Sequence, residues 1–275
     1  MTDYGIDLEG GEHAVLLIHG MTGSPFEMKP LARRLFRAGF TVKGPCLAGH
    51  GGTIKELTAT TWRDWYGTAH ENYTELKKTH ENVSVAGLCA GALLALYLAY
   101  EEKEASSIAL MSTTFVYDGW SLPWYKFLLP FMYYPPFRYF YKYEEREPYG
   151  IKDERMRKHV ALGLKDGSIA HDSFPADCLR ELFKLIRASR KILPLVSAPT
   201  LILHAEEDDL ASVKNAELVE KSVASKNVKK IIVKDSYHML TLDKQKDFVA
   251  DEIIKFFSEN ASSRASGLKN STGNN

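Results

Sequence analysis

At 275 residues, with 45% of them hydrophobic, the chain can bury a sizeable core and lies within the range that α/β folds fill as one domain. Thirty-five basic and thirty-five acidic residues cancel, so there is no basic footprint for nucleic acid or another polyanion. The start, MTDYGIDLEGGEHAVLLIHG, carries acids where an export signal needs a positive region, and its apolar run from Ala14 to Ile18 is too short for a signal or a membrane span; the expectation is a cytoplasmic protein.

In chain order, Ala14 to Ile18 reads as a buried strand that ends in His19-Gly20. Ser24-Pro25-Phe26-Glu27 follows with a capping-box pattern and Pro at the first helical position, so strand, loop, helix is predicted. Phe40 to Gly44 is a second strand, and Trp62, Trp65, Ala69 and Tyr73 recur at helical spacing between Trp62 and Lys78. Val83 to Ala86 reads as a strand meeting Gly87, Leu93 to Tyr100 as a helix rich in Ala and Leu, and Ser107 to Met111 as another strand. The alternation resumes with a strand at Thr200 to His204, a helix at Ser212 to Ala224, a strand at Lys229 to Lys234 and a closing helix at Asp243 to Phe257. Strands alternating with helices predict a doubly wound, mainly parallel α/β sheet.

Residues 113–191 break that rhythm. From Phe115 to Tyr143 roughly half the residues are aromatic, interleaved with prolines, which predicts a cap inserted into a core formed by residues 1–112 and 192–257. Residues 258–275 are poor in apolar side chains and rich in Ser, Asn and Gly; on composition they are expected to be disordered. Cys46, Cys89 and Cys178 are an odd set without metal-ligand spacing, which points to thiols rather than a disulfide framework, and no metal or cofactor is expected.

Gly87-Leu88-Cys89-Ala90-Gly91 falls where a predicted strand meets a predicted helix, the setting of a nucleophile elbow. Such a turn strains its central residue and projects the side chain, and flanking glycines remove Cβ atoms that would clash. The helix N-terminus adds positive potential that favours a thiolate. Taken alone, Cys89 reads equally well as a small buried hydrophobe beside a tight turn. Cys46 and Cys178 lack these surroundings and read as structural.

These residues carry a resemblance that extends over roughly residues 12 to 257 and is weakest in the cap. The chain resembles the compact bacterial carboxylesterases of the α/β-hydrolase superfamily, near the monoacylglycerol lipases: AVLLIHGMTG from Ala14 to Gly23 is similar to their oxyanion loop, Gly49-His50-Gly51 to the loop that follows, and SYHMLTLD from Ser236 to Asp243 to their catalytic-histidine segment. The departure that matters most is Cys89, where the family has serine. Tyr237, Ala205 and Ala92 are smaller departures that remove no catalytic group.

The resemblance implies a triad. His238 follows a predicted strand by a short loop, on the sheet edge that carries the elbow, and the order nucleophile, acid, histidine is that of the fold. Of the nine histidines, His19 and His50 read as holders of the oxyanion loop, and His13, His70, His80, His159 and His171 as solvated or cap residues. The acid is expected after the strand at Thr200 to His204, where Glu206, Glu207, Asp208 and Asp209 stand together; the family pattern aligns with Asp208, and Asp209 is the alternative. The oxyanion hole needs two preorganised backbone N–H groups, which by position are those of Met21 and Ala90.

Such a site would place an acyl group on Cys89 as a thioester and hydrolyse an ester or thioester of a hydrophobic acyl group, with cap aromatics including Trp120 and Trp124 against the substrate. The same acyl-enzyme could pass its acyl group to an amine, alcohol or thiol, as an acyltransferase does. A non-catalytic binding protein on this fold, or a chain in which cysteine was introduced for serine, are the remaining readings. The expected partner is a small-molecule or carrier-bound acyl substrate, with shallow membrane or acyl-carrier contact through the cap.

Overall fold

The computed structural model describes residues 5–21, 23–122, 142–144, 146–165 and 173–271. Its centre is a seven-stranded sheet in which β1 (Ile6–Leu8), β3 (Thr41–Gly44), β2 (His13–Ile18), β4 (Asn82–Leu88), β5 (Ile108–Met111), β8 (Thr200–Ala205) and β9 (Val228–Val233) lie side by side in that order. Only β1 runs antiparallel, against β3; the other neighbours pair in parallel. The predicted mainly parallel sheet is therefore present, with an antiparallel edge strand added.

Both faces of this sheet are buried, and the strands alternate between them with the period of two that a pleated backbone imposes. Leu16 and Ile18 of β2, Val85 of β4 and Ile202 of β8 join one cluster. There they meet α3 (Trp62–Thr79), α4 (Ala90–Glu101) and α6 (Ala176–Ile192) through Trp65, Tyr73, Leu94, Leu182 and Leu185. Val15, Leu17, Ala86, Leu88 and Leu203 face the other way, onto α1 (Lys29–Arg37) and α8 (Lys246–Ser271) through Leu31, Leu35, Ile253, Phe256 and Phe257. Helix α4 is apolar around its whole circumference, as suits a helix enclosed on all sides. Among the described residues no helix is long and apolar enough to cross a membrane.

Between β5 and β8 the described chain forms a small antiparallel pair, β6 (Lys142–Glu144) and β7 (Ser173–Pro175), and helix α5 (Glu154–Lys165). Most of the aromatic stretch, Trp124 included, falls in residues 123–141 and lies outside the described residues. The segment expected to be a cap ends in α6, which packs into the same cluster as α4.

Helix α8 continues past Phe257 to Ser271. Past Phe257 the buried Asn260 accepts from Asn227 Nδ2 and ties the helix to the residue before β9, while Ser258 Oγ and Asn260 Nδ2 donate within the helix to Ile254 O and Phe256 O. A helix docked through its first three turns extends at low cost, since only nucleation is expensive. Residues 272–275 lie outside the described residues.

Candidate active site

Cys89 stands between the end of β4 and the first residue of α4, with φ 54° and ψ −112°. This left-handed geometry is costly for a residue with a side chain and is held by its surroundings. Cys89 N–H donates to Met111 O, and neither flanking glycine has room for a Cβ. A Cβ on Gly87 would lie 2.2 Å from Gly91 O, and one on Gly91 would lie 2.2 Å from Ile18 O. The elbow geometry predicted for Gly-Leu-Cys-Ala-Gly is present. The sulfur is nearly buried and lies 3.9 Å from Thr114 Oγ1.

The loops after β8 and β9 bring the other expected residues to this edge. His238 Nδ1 lies 2.9 and 3.0 Å from the two carboxylate oxygens of Asp208. Asp208 also accepts from Leu210 N–H and Ala211 N–H at 2.9 and 2.8 Å. Burial works against its charge, yet His238, His204 and the Ala211 N–H together hold its pKa below the ordinary carboxylate value. For His238, burial would lower the pKa, but the charges of Asp208 and Cys89 and the bond to Asp208 outweigh it, so the ring titrates well above its ordinary value. Because Nδ1 carries the hydrogen given to Asp208, Nε2 is the nitrogen left to exchange a proton with the sulfur. It is buried without a partner in full hydrogen-bond geometry among the described residues.

Asp209 serves the same loop differently. Its Oδ1 accepts from the backbone N–H of His238 at 3.3 Å, and burial foremost, with Asp208 beside it, raises its pKa. Glu206 and Glu207 are exposed, as expected, and Glu207 pairs with Lys152 Nζ at 2.6 Å. The His238 loop is pinned further by Ser112 Oγ, which donates to His238 O at 2.7 Å. The buried carboxylate of Asp243 accepts from the backbone N–H groups of Tyr237, Lys152, Asp153 and Lys244.

The loop after β2 lies against the elbow: a Cβ added to Gly20 would be 3.8 Å from Cys89 Cβ. His19 holds this loop to the next one. Its Nε2 accepts from Leu47 N–H at 3.1 Å, so its hydrogen is on Nδ1, which donates to Gly20 O at 2.8 Å. His50 packs edge-on to His19 and Trp65. Ala90 opens α4, so its N–H has no acceptor within the helix; Met21 is buried in the facing loop. Ser24 caps the following turn at Pro25–Met28, its side chain accepting from Phe26 N–H. Glu27 turns inward, and its Oε2 accepts from Gly20 N–H at 3.0 Å.

Trp120 is 60% exposed. Its indole N–H donates to Glu207 O, and its ring packs edge-on to Tyr237, on the outside of the loops that carry Asp208 and His238. Two groups of this site were not singled out from sequence. His204 is the penultimate residue of β8 and donates through Nε2 to Ala211 O at 2.8 Å, 3.5 Å from Asp208 Oδ2; its sequence signal is its place four residues before the acid. Thr114 beside the sulfur has no signal of its own.

The sequence pattern of the Hydrolase_4 family, described as serine aminopeptidase, S33, matches residues 11–245. A thermostable monoacylglycerol lipase of Bacillus sp. (strain H-257) is 26% identical over 261 residues, 92% of this chain and 93% of that protein. A carboxylesterase of Bacillus subtilis (strain 168) is 26% identical over 249 residues, 90% of this chain and 93% of that one. Among solved structures, one of the metagenome-derived lipolytic enzymes LipS and LipT superposes with a TM-score of 0.81 at 25% identity, over 94% of this chain and 98% of the other. A soluble variant of the monoglyceride lipase of Saccharomyces cerevisiae, at 15% identity and a TM-score of 0.78 over 93% and 90% of the two chains, shares the fold. With the parallel sheet, the elbow after β4 and the histidine loop after β9, the match over residues 11–245 shows that this chain is an α/β-hydrolase enzyme belonging to the Hydrolase_4 family, serine aminopeptidase, S33.

Proposed function

We propose that the protein hydrolyses an ester of a hydrophobic acyl group through an acyl-thioester on Cys89. The observation that carries this reading is the bond from His238 Nδ1 to both oxygens of Asp208, which leaves Nε2 as the ring's exchangeable face beside a cysteine at a strained strand-to-helix turn. A histidine so oriented is a proton carrier, and Asp208 fixes its tautomer without taking the proton.

In the first half-reaction the Cys89 thiolate of a Cys–His ion pair forms a bond to the carbonyl carbon. The carbonyl π electrons move onto oxygen, facing the N–H groups of Met21 and Ala90. The oxygen's electrons return, the bond to the alkoxide breaks, and His238 Nε2–H protonates the departing alcohol. In the second, neutral His238 takes a proton from water as its oxygen attacks the thioester carbon, and Cys89 leaves as the thiolate. The names of the two Bacillus relatives, a monoacylglycerol lipase and a carboxylesterase, support a hydrophobic acyl ester as substrate.

The test is mass spectrometry of the intact chain quenched during turnover of p-nitrophenyl butyrate, with peptide mapping. An added butyryl group on Cys89, absent together with turnover in Cys89→Ala, is the expected result. Turnover that survives Cys89→Ala overturns the reading.

A further inference from the structure

Glu27 is a carboxylate that the acyl-transfer steps do not use, yet it is 6% exposed and sits inside the loop that faces the nucleophile. Its Oε2 accepts from Gly20 N–H at 3.0 Å and would lie 3.3 Å from a Cβ on Gly20. Its Oε1 would lie 1.8 Å from a Cβ on Gly23. The backbone at Gly20 and at Gly23 thus lies close against this carboxylate, most tightly at Gly23, and the Cβ position of Gly20 is also near Cys89. Burying such a group is costly unless backbone N–H groups satisfy it.

We propose that Glu27 is a positioning residue for the oxyanion hole: by its reach to Gly20 N–H it fixes the turn so that Met21 N–H faces the carbonyl oxygen of a substrate bound at Cys89. This rests on the acyl-enzyme reading above. His19 Nδ1 donates to Gly20 O, which belongs to the next peptide unit, the one that carries Met21 N–H, so the peptide planes on either side of the Gly20 Cα are each held by one side chain. Preorganised donors of this kind act on the charge that develops in the transition state and not on ground-state binding.

Two reactions of Cys89 separate this role from general support of the fold. Acylation by p-nitrophenyl butyrate develops an oxyanion and needs the hole, whereas alkylation by iodoacetamide displaces iodide at a saturated carbon and does not. Glu27→Asp keeps the charge but loses the reach, and Glu27→Gln keeps the reach but loses the charge. Glu27→Asp should slow the acylation burst by about a hundredfold, the scale of one lost oxyanion donor, with KM and the alkylation rate near those of the unaltered chain. Glu27→Gln should stay within about tenfold of the unaltered chain in the burst. Acylation and alkylation falling together, or Glu27→Gln losing as much as Glu27→Asp, would overturn the proposal. If the unaltered chain gives no burst at Cys89, the acyl-enzyme reading falls and this proposal with it; a burst that Glu27→Asp leaves intact overturns this proposal alone.

Discussion

Asp208 and Asp209 are adjacent in sequence but hold His238 by different atoms: Asp208 takes the ring Nδ1–H, and Asp209 takes the backbone N–H. Asp208→Asn should therefore cost much more activity than Asp209→Asn. An amide in place of Asp208 can present its own N–H to Nδ1 and force the wrong tautomer, an effect of up to about ten-thousandfold in related triads. An amide in place of Asp209 still offers an oxygen to the backbone and should cost less than about tenfold. Steady-state rates of the two variants decide the matter, and equal losses would mean that the backbone hold is as important as the tautomer.

Iodoacetamide should modify Cys89 well before Cys46 and Cys178. Access alone argues the reverse for Cys46, which is more exposed than Cys89. The chemistry opposes it: burial raises the pKa of Cys46, and burial with Asp177 and Glu181 nearby pushes that of Cys178 up to about 12. Cys89 alone has His238 as a proton partner and a helix N-terminus behind it. Peptide mapping over a time course measures the order of labelling; Cys46 reacting first would count against the ion pair.

Stability should fall as the pH drops from 6.5 to 5, with His19 as one cause. Burial, then the nearby His50, push the His19 pKa down to about 3, against the pull of Gly20 O. Over this interval the unfolded chain takes up a proton at His19 and the folded chain does not, so acid favours unfolding, by about 2 kcal/mol for this one group. His13, lowered to about 4, and His204, also lowered, act in the same direction. His238 is raised, so its contribution is complete below pH 6.5 and is lost only as the pH rises through its folded pKa. His19→Gln should reduce the slope of unfolding free energy between pH 5 and 6.5 by about one proton. Urea titrations at several pH values check this; an unchanged slope would mean that folded His19 binds its proton normally.

Much of the site was readable because its constraints are local. Gly87 and Gly91 are required where a Cβ would strike Gly91 O and Ile18 O, so the elbow leaves a mark in five consecutive residues. The strands on either side are legible because both their faces are apolar and buried. Asp208 and Asp209 could not be separated by composition, since their difference lies in which hydrogen of His238 each one meets. Ser24-Pro25-Phe26-Glu27 satisfies a local capping pattern, while Gly20 N–H, which donates to the Glu27 carboxylate, lies outside that pattern and leaves no local mark. Aromatic density marks the segment that holds Trp120, but the partner of its indole, Glu207 O, is distant in sequence.

The last prediction concerns the exchange of sulfur for oxygen at Cys89. Serine at this position would keep the strained turn, His238 and Asp208, but its hydroxyl must lose a proton at the moment of attack, whereas a cysteine facing a protonated histidine need not. The two nucleophiles also differ in how the tetrahedral intermediate collapses. A thiolate leaves more readily than an alkoxide, so with an ordinary ester the cysteine intermediate tends to revert unless His238 protonates the alcohol first; with a thioester the two leaving groups are matched. Cys89→Ser should therefore lower the ratio of thioester to ordinary-ester kcat/KM by at least about tenfold, and it should abolish alkylation by iodoacetamide. Parallel assays of butyryl thiocholine and butyryl choline, alike except at the scissile atom, measure that ratio directly. An unchanged ratio in a folded Cys89→Ser chain would show that expulsion of the leaving group does not limit either reaction, and that the sulfur confers no preference among acyl donors.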